Sequence, residues 1–328
     1  RNPRCKEAFE ELVRNSDVLV DNWGSGAFRR LGLGYDHLSQ INPGLVYASI
    51  TGYGDSPDLT GPYSYRPANN LAIQAMSGWM EITGDPDGVP QSVGDNIGDS
   101  IPGVWSALGI VLALETKRKT GLGQYVDMAM YECMVSHIES NMNAYQATGS
   151  NPARSRDRNA TAGITFKAKD GYCVLAGVRT PARMRDLWTL IGREDLLEGD
   201  ARYLAGPGMD GQFYTDHIIP AIECWSTNIN KFQVAATLTE IGFSMGVTQT
   251  VADLANCPQL EARQMFVDTG DTLGGTFRGV RTPARLTSCI DSPSETAPTL
   301  GQHNSEILCS LGGMTSDEVI ALEAEGAL

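Results

Sequence analysis

The stretch SDVLVDNWGSGAFRRLGLGYDHLSQINPGLVYASIT, residues 16–51, decides the fold. DVLVD (17–21) predicts a short buried strand, and the glycine-rich turn NWGSGAFRRLGLG follows it. YDHLSQIN then predicts a short helix, and GLVYASIT (44–51) a second strand. Strands joined through a helix lie parallel, with helices covering the sheet. The alternation continues outward. Upstream, Ala8, Phe9, Leu12 and Val13 share one face of a helix. Downstream, the Gly/Pro/Tyr loop GYGDSPDLTGPYSYRP (52–67) leads into the helical NNLAIQAMSGWM. Next comes VGDNIGDSIPGVWSALGIVLALE (93–115), which predicts a long helix starting near Ser100 or Pro102 and stopping at Gly121. YVDMAM reads as a strand and YECMVSHIESNMNAYQ as one helix. The fold class is therefore α/β, with a Rossmann-like parallel-sheet large domain at residues 1–150.

The polar segment around 151–164 reads as a linker. Residues 165–270 predict a smaller α+β domain, opened by the hairpin GITFKAKDGYCVLAGV with Asp170 and Gly171 at its turn. Residues 271–328 form a C-terminal segment expected to return to the large domain. Its final helix carries Thr315 and Glu318 at capping-box spacing.

Composition excludes several functions. The 328 residues carry 25 basic against 39 acidic side chains, a net charge of −14, which argues against a nucleic-acid partner. Seven cysteines and four histidines are scattered without metal-ligand or redox spacing, so no metal and reduced thiols are expected. The longest apolar run, VWSALGIVLALE, is short of a membrane span, so a cytoplasmic protein off the membrane is expected. The chain opens without Met, directly on an amphipathic helix, and an upstream piece is expected.

Several residues could carry chemistry. The turn at Gly24–Gly26 is a broken dinucleotide fingerprint, weak by itself, but Arg29 and Arg30 beside it could hold phosphates. The bland alternative is a pair of solvated helix-end arginines. Asp85 and Asp87 suit a turn better than a calcium loop. Asn69 and Asn70 precede a helix and could cap it. Asp99 stands at a helix start among Gly94, Gly98 and Gly103. It could be a plain cap, or an ionised, accessible carboxylate beside backbone N–H donors, equipped for covalent acyl transfer.

Taken together, SDVLVDNWGSGAFRRLGLGYDHLSQINPGLVYASITGYG, QAMSGWMEITGDPDGVP, the GDS at Asp99, ALGIVLALETKRKTGLGQYVDMAMYE and APTLGQHNSEIL resemble the class III CoA-transferases. These are the family of formyl-CoA transferase and carnitine CoA-transferase. The resemblance implies an acyl-CoA:carboxylate CoA-transferase with coenzyme A as carrier and Asp99 as nucleophile, passing through an aspartyl-CoA thioester. It places CoA-binding positions at Asn22, Trp23, Gly24 and Arg30, and substrate-pocket positions at Asn69 and Asn70. It also implies an interlocked homodimer, or a heteromer, and a family segment upstream of residue 1. A racemase of the same superfamily is the alternative, but it would need a His-Asp pair where Asn69-Asn70 stands, and an amide is no general base. A catalytically silent partner subunit is the other. The family's glycine loop has no clear counterpart in RSRDRNATAGI, which argues against formyl as the acyl group.

Overall fold

Val18–Asp21 (β1), Val46–Thr51 (β2) and Tyr125–Ala129 (β3) form a parallel sheet in the order β1-β2-β3. Val18 lies opposite Val46, and Tyr47 opposite Tyr125. The central strand is covered on both faces, so Val46, Tyr47, Ala48 and Ser49 are all buried. Pro3–Arg14 (α1) precedes the sheet, and Ala27–Arg30 (α2) and Tyr35–Ile41 (α3) cross from β1 to β2. Phe9, Val13, Leu38 and Leu45 pack together in one cluster, which accounts for the apolar face of α1. Asn70–Met76 (α4), Ile97–Thr120 (α5), Met130–Ser136 (α6) and Glu139–Thr148 (α7) complete the layers. The structure, a computed structural model, describes residues 2–152, 154, 163–177, 180–205, 211–272, 275–288 and 297–328.

The expected α/β class with a parallel sheet is what the chain adopts, with three local corrections. The segment read as one helix after β3 breaks at His137 and Ile138. The break buries Ile138 and lets the His137 ring accept a hydrogen bond from the Trp105 indole at 3.0 Å. Second, α5 begins at Ile97, earlier than Pro102 suggested, and Pro102 sits in its second turn. Third, α5 is 24 residues long and holds an 18-residue window of mean hydropathy 1.6, so by length and composition it could cross a membrane. It instead lies against the sheet, close enough that a Cβ on Gly109 would meet the Val126 side chain at 3.0 Å.

The chain divides into two units, Arg1–Arg154 with Pro298–Leu328, and Ser155–Ala297. In the first, the helices Asn304–Ser310 and Ser316–Ala324 return to α1, where Ala8 packs on Met314, Val319 and Leu322. Arg4 pairs with Glu318, and the Thr315/Glu318 capping box forms as its spacing predicts. In the second unit, Gly163–Ala168 (β4), Gly171–Ala176 (β5) and Ser244–Val247 (β6) make an antiparallel sheet. The predicted hairpin closes with Ala168 opposite Gly171. Helices Pro181–Leu190, Ile219–Ser226 and Lys231–Glu240 contribute to the unit's core around Phe166, Trp188 and Tyr214. The buried Lys231 ammonium bonds Asp253 at 2.6 Å and the Thr248 carbonyl at 3.0 Å, and this pairing lowers the Asp253 carboxyl to about 2. Phe266–Thr272 (β7) and Gly275–Val280 (β8) form a further hairpin within this unit. Most of the expected linker 151–164, and most of the RSRDRNATAGI segment, lies outside the described residues.

Candidate active site

A cleft of about 780 Å³ opens past the carboxyl ends of β1 and β2, where α/β sheets place ligands. Asn22, Trp23 and Gly24 line one side, Asn69 and Asn70 another, and Asp99 and Gly103 a third. Six of the seven site residues expected from sequence therefore share one cavity. The seventh, Arg30, does not line it: its guanidinium donates to the Ser25 carbonyl at 3.0 Å.

The glycine turn is held from behind. Asn22 donates its side-chain amide to the Ile50 carbonyl at 3.0 Å, and the Trp23 N–H bonds Asp21 at 2.8 Å. Trp23 leaves its indole 60% exposed on the rim, edge-on to Phe28. Asp55, buried on the loop after β2, gathers the rest. Its carboxylate accepts the Gly26 N–H at 2.7 Å, the Tyr125 hydroxyl at 2.6 Å and the Arg29 guanidinium at 3.1 and 3.2 Å. Burial alone would raise that carboxyl, but the bonds from Tyr125 and Gly26 and the Arg29 charge outweigh it and hold it below the ordinary range. Burial and the neighbouring Asp55 push the Tyr125 phenol well up. Asp127 in turn accepts the Asp55 and Ser56 N–H groups, each at 3.0 Å. Arg29 is thus consumed by a buried carboxylate, and the expectation that it holds phosphates is corrected.

The joint between α4 and α5 sets Asp99. Asn69 caps α4, accepting the Ala72 N–H at 2.9 Å. Asn70 caps α5 from a distance: its carbonyl oxygen accepts the Gly98 N–H at 2.9 Å, and its amide donates to Asn96 at 3.2 Å. Gln74, fully buried, bonds Asn70 at 2.9 Å and receives the Val93 N–H at 2.9 Å. A Cβ on Gly98 would stand 2.7 Å from the Asn70 backbone carbonyl oxygen, so that glycine serves the joint. Gly103 differs. A Cβ there meets nothing within 4 Å and would project into open space, and Gly103 lines the cleft.

Asp99 is the third residue of α5 and is not its cap, because the cap position is Asn96. Its carboxylate is exposed to the cleft and has no hydrogen bond or ion pair among the described residues. The backbone donors around it are a different matter. The N–H groups of Ile97, Gly98, Asp99 and Ser100 bond Asp95, Asn70 and twice Asn96. Free first-turn donors, expected from the helix start, are therefore absent there. Asp85 and Asp87 form a turn, with the Asp87 N–H on Asp85 at 3.1 Å.

Three features escaped the sequence reading, two in the cleft and one behind its glycine turn. Arg66 lines the cavity from the Tyr-rich loop. Thr51, at the end of β2, buries its hydroxyl without a hydrogen-bond partner among the described residues. Asp55 anchors the glycine turn from 29 residues downstream of Gly26. Only Arg66 had a sequence signal, as the one charged residue between Asp58 and Glu81.

The fold and cleft define an α/β enzyme whose site lies beyond the ends of its parallel strands. The family model of CoA-transferase family III matches residues 1–304, and the chain belongs to that family. It is 33% identical over 94% of its length to the succinyl-CoA:mesaconate CoA-transferase of Haloarcula marismortui, covering 76% of that protein. It is 30% identical, over its whole length and 82% of the relative, to the formyl-CoA:oxalate CoA-transferase of Streptomyces avermitilis. A CAIB/BAIF family protein from Brucella suis shares the fold with TM-score 0.82 and 30% identity, over 95% of this chain and 79% of that one. The chain is an acyl-CoA:carboxylate CoA-transferase, with coenzyme A entering as acyl-CoA.

Proposed function

We propose that Asp99 carries CoA between two acids through a covalent thioester. The observation that supports this most is its carboxylate, exposed in the cleft and bound to nothing else among the described residues. One carboxylate oxygen attacks the carbonyl of the acyl-CoA, the C–S bond breaks, and a mixed anhydride forms as CoA leaves as thiolate. The thiolate attacks the Asp99 carbonyl, and the donor acid departs, leaving aspartyl-CoA. The acceptor carboxylate repeats the sequence in reverse, and Asp99 returns as a free carboxylate. Gly103 leaves room for the acyl group beside it. Asn69 and Asn70 shape the pocket through the joint, since both amides are engaged in capping and neither can act as a base.

Trp23 and Gly24 receive CoA along the glycine turn, and Arg30 meets its phosphates on the turn's outer side. Mesaconate and oxalate, which name the two relatives' reactions, are dicarboxylic acids, and we extend that class to the acceptor here. The working unit is a homodimer in the cytoplasm. The apolar face that α5 leaves exposed, including Val104, Leu108, Val111 and Leu112, suits a second copy.

The test is exchange of labelled CoA between acids. Asp99→Asn should abolish it by several orders of magnitude with the melting temperature retained, since the carboxylate caps nothing. Asp95→Asn, outside the cleft, should keep most of the activity. A folded Asp99→Asn enzyme that transfers CoA normally would refute the reading.

A further inference from the structure

Among the described residues lining the cleft, Arg66 is the sole cation and Asp99 the sole anion. Arg29 is engaged by Asp55, and Arg30, which donates to the Ser25 carbonyl, does not line the cleft. The Arg66 guanidinium has no ion pair and no hydrogen bond among the described residues. It is nevertheless not loose. Its carbon lies 4.1 Å from the centre of the Tyr63 ring, and the Arg66 backbone N–H bonds the Tyr63 carbonyl at 2.8 Å. Tyr63 packs edge-on against Tyr53, which packs on Tyr131. An arginine laid on an aromatic face keeps its planar fork of donors pre-organised, with all five N–H groups unspent. In a protein of net charge −14, such a cation beside an open cleft is a receptor for a planar oxyanion.

Two anions enter this cleft, a CoA phosphate and an acid. The placement of Arg66 favours the acid. Its segment continues through Pro67 and Ala68 into Asn69 and Asn70, and Asn70 is bonded to Gly98, the residue before Asp99. Arg66 therefore stands four residues before Asn70, which caps the helix of the nucleophile, whereas CoA is assigned to the glycine turn.

Resting on the reading of Asp99 as nucleophile, we infer that Arg66 recognises the carboxylate of a dicarboxylic acid that does not react. It is the specificity-determining residue that separates a dicarboxylate from a monocarboxylate of equal length. The experiment measures kcat/KM for succinate and for butyrate, which differ by one carboxylate in place of a methyl, with one fixed acyl-CoA donor. The wild-type enzyme prefers succinate, and Arg66→Met lowers kcat/KM for succinate about 10- to 100-fold, the range of a charge-assisted pair. The succinate-to-butyrate ratio of kcat/KM falls with it while the Kd of free CoA is retained, and Arg66→Lys restores part of the preference. A wild-type enzyme without preference for succinate, or one that uses neither acid, overturns the inference. So does an Arg66→Met enzyme that loses CoA affinity while keeping its succinate-to-butyrate ratio, because that assigns Arg66 to a phosphate. Asp99→Asn separates the two readings. It should stop both acids alike, and its failure to do so would refute the nucleophile and not the anchor.

Discussion

The unit Ser155–Ala297 closes its core on itself, whereas the unit that carries the cleft does not. In the former, Phe166, Trp188, Tyr214, Ile222 and Val234 belong to one continuous cluster, and even the buried Lys231 is paired. In the latter, buried apolar residues fall into three smaller clusters. Its longest helix, α5, keeps Val111 and Leu112 each 61% exposed. The difference separates two uses of apolar residues. One set fixes a fold, and the other leaves an open cleft and an exposed apolar helix face.

That comparison predicts effects of graded size. Trp188→Ala should be the most damaging change to stability, costing about 3–5 kcal/mol because the cavity cannot collapse in a closed core. A calorimetric scan should show a large drop in melting temperature, and a drop of only a degree or two would mean the core is less continuous than described. Leu112→Glu should leave each protomer folded, because the side chain faces outward in the chain alone. It should shift sedimentation toward monomer at micromolar concentration. A mutant that stays dimeric would show that this face is covered by something other than a second copy.

Asp55→Asn should cost about 2 kcal/mol, since it strips a charge-assisted acceptor from Arg29, Tyr125 and the Gly26 N–H. The loss should appear as looser CoA binding as well as a lower melting point. Asp55 has a folded-state carboxyl held below its ordinary value. Its contribution is therefore fully present above the unfolded-state value of about 3.9, and fades as pH falls through the folded-state value. Denaturant titrations of wild type and Asp55→Asn should converge in that acidic window. Parallel curves throughout would remove Asp55 from the role of anchor.

Much of this was legible in the chain. Residues 16–51 spell out strand, turn, helix and strand because each element is short, local and bounded by glycine or proline. The stop of α5 at Gly121 was legible for the same reason, as that residue takes a left-handed φ of 76°. The start of α5 was not, because its first turn is capped by Asn70 and no local motif records a cap 28 residues away. Arg29 misled for a related reason: nothing near it in sequence announces the Asp55 carboxylate that consumes its charge. Asp99 was found through its neighbourhood of glycines, yet Gly98 serves the helix joint while Gly103 opens the cleft. One pattern held two causes.

The central claim is that Asp99 becomes covalently bound to CoA, and a trap tests it most directly. Wild-type enzyme is incubated with an acyl-CoA donor, treated with borohydride, digested and analysed by peptide mass. Borohydride reduces a thioester to an alcohol and leaves a free carboxylate untouched. The account predicts that Asp99 alone, within the peptide spanning α5, loses one oxygen and gains two hydrogens in a donor-dependent manner. Enzyme that turns over fully while Asp99 stays a carboxylate after trapping, or that is reduced at a different residue, would contradict it.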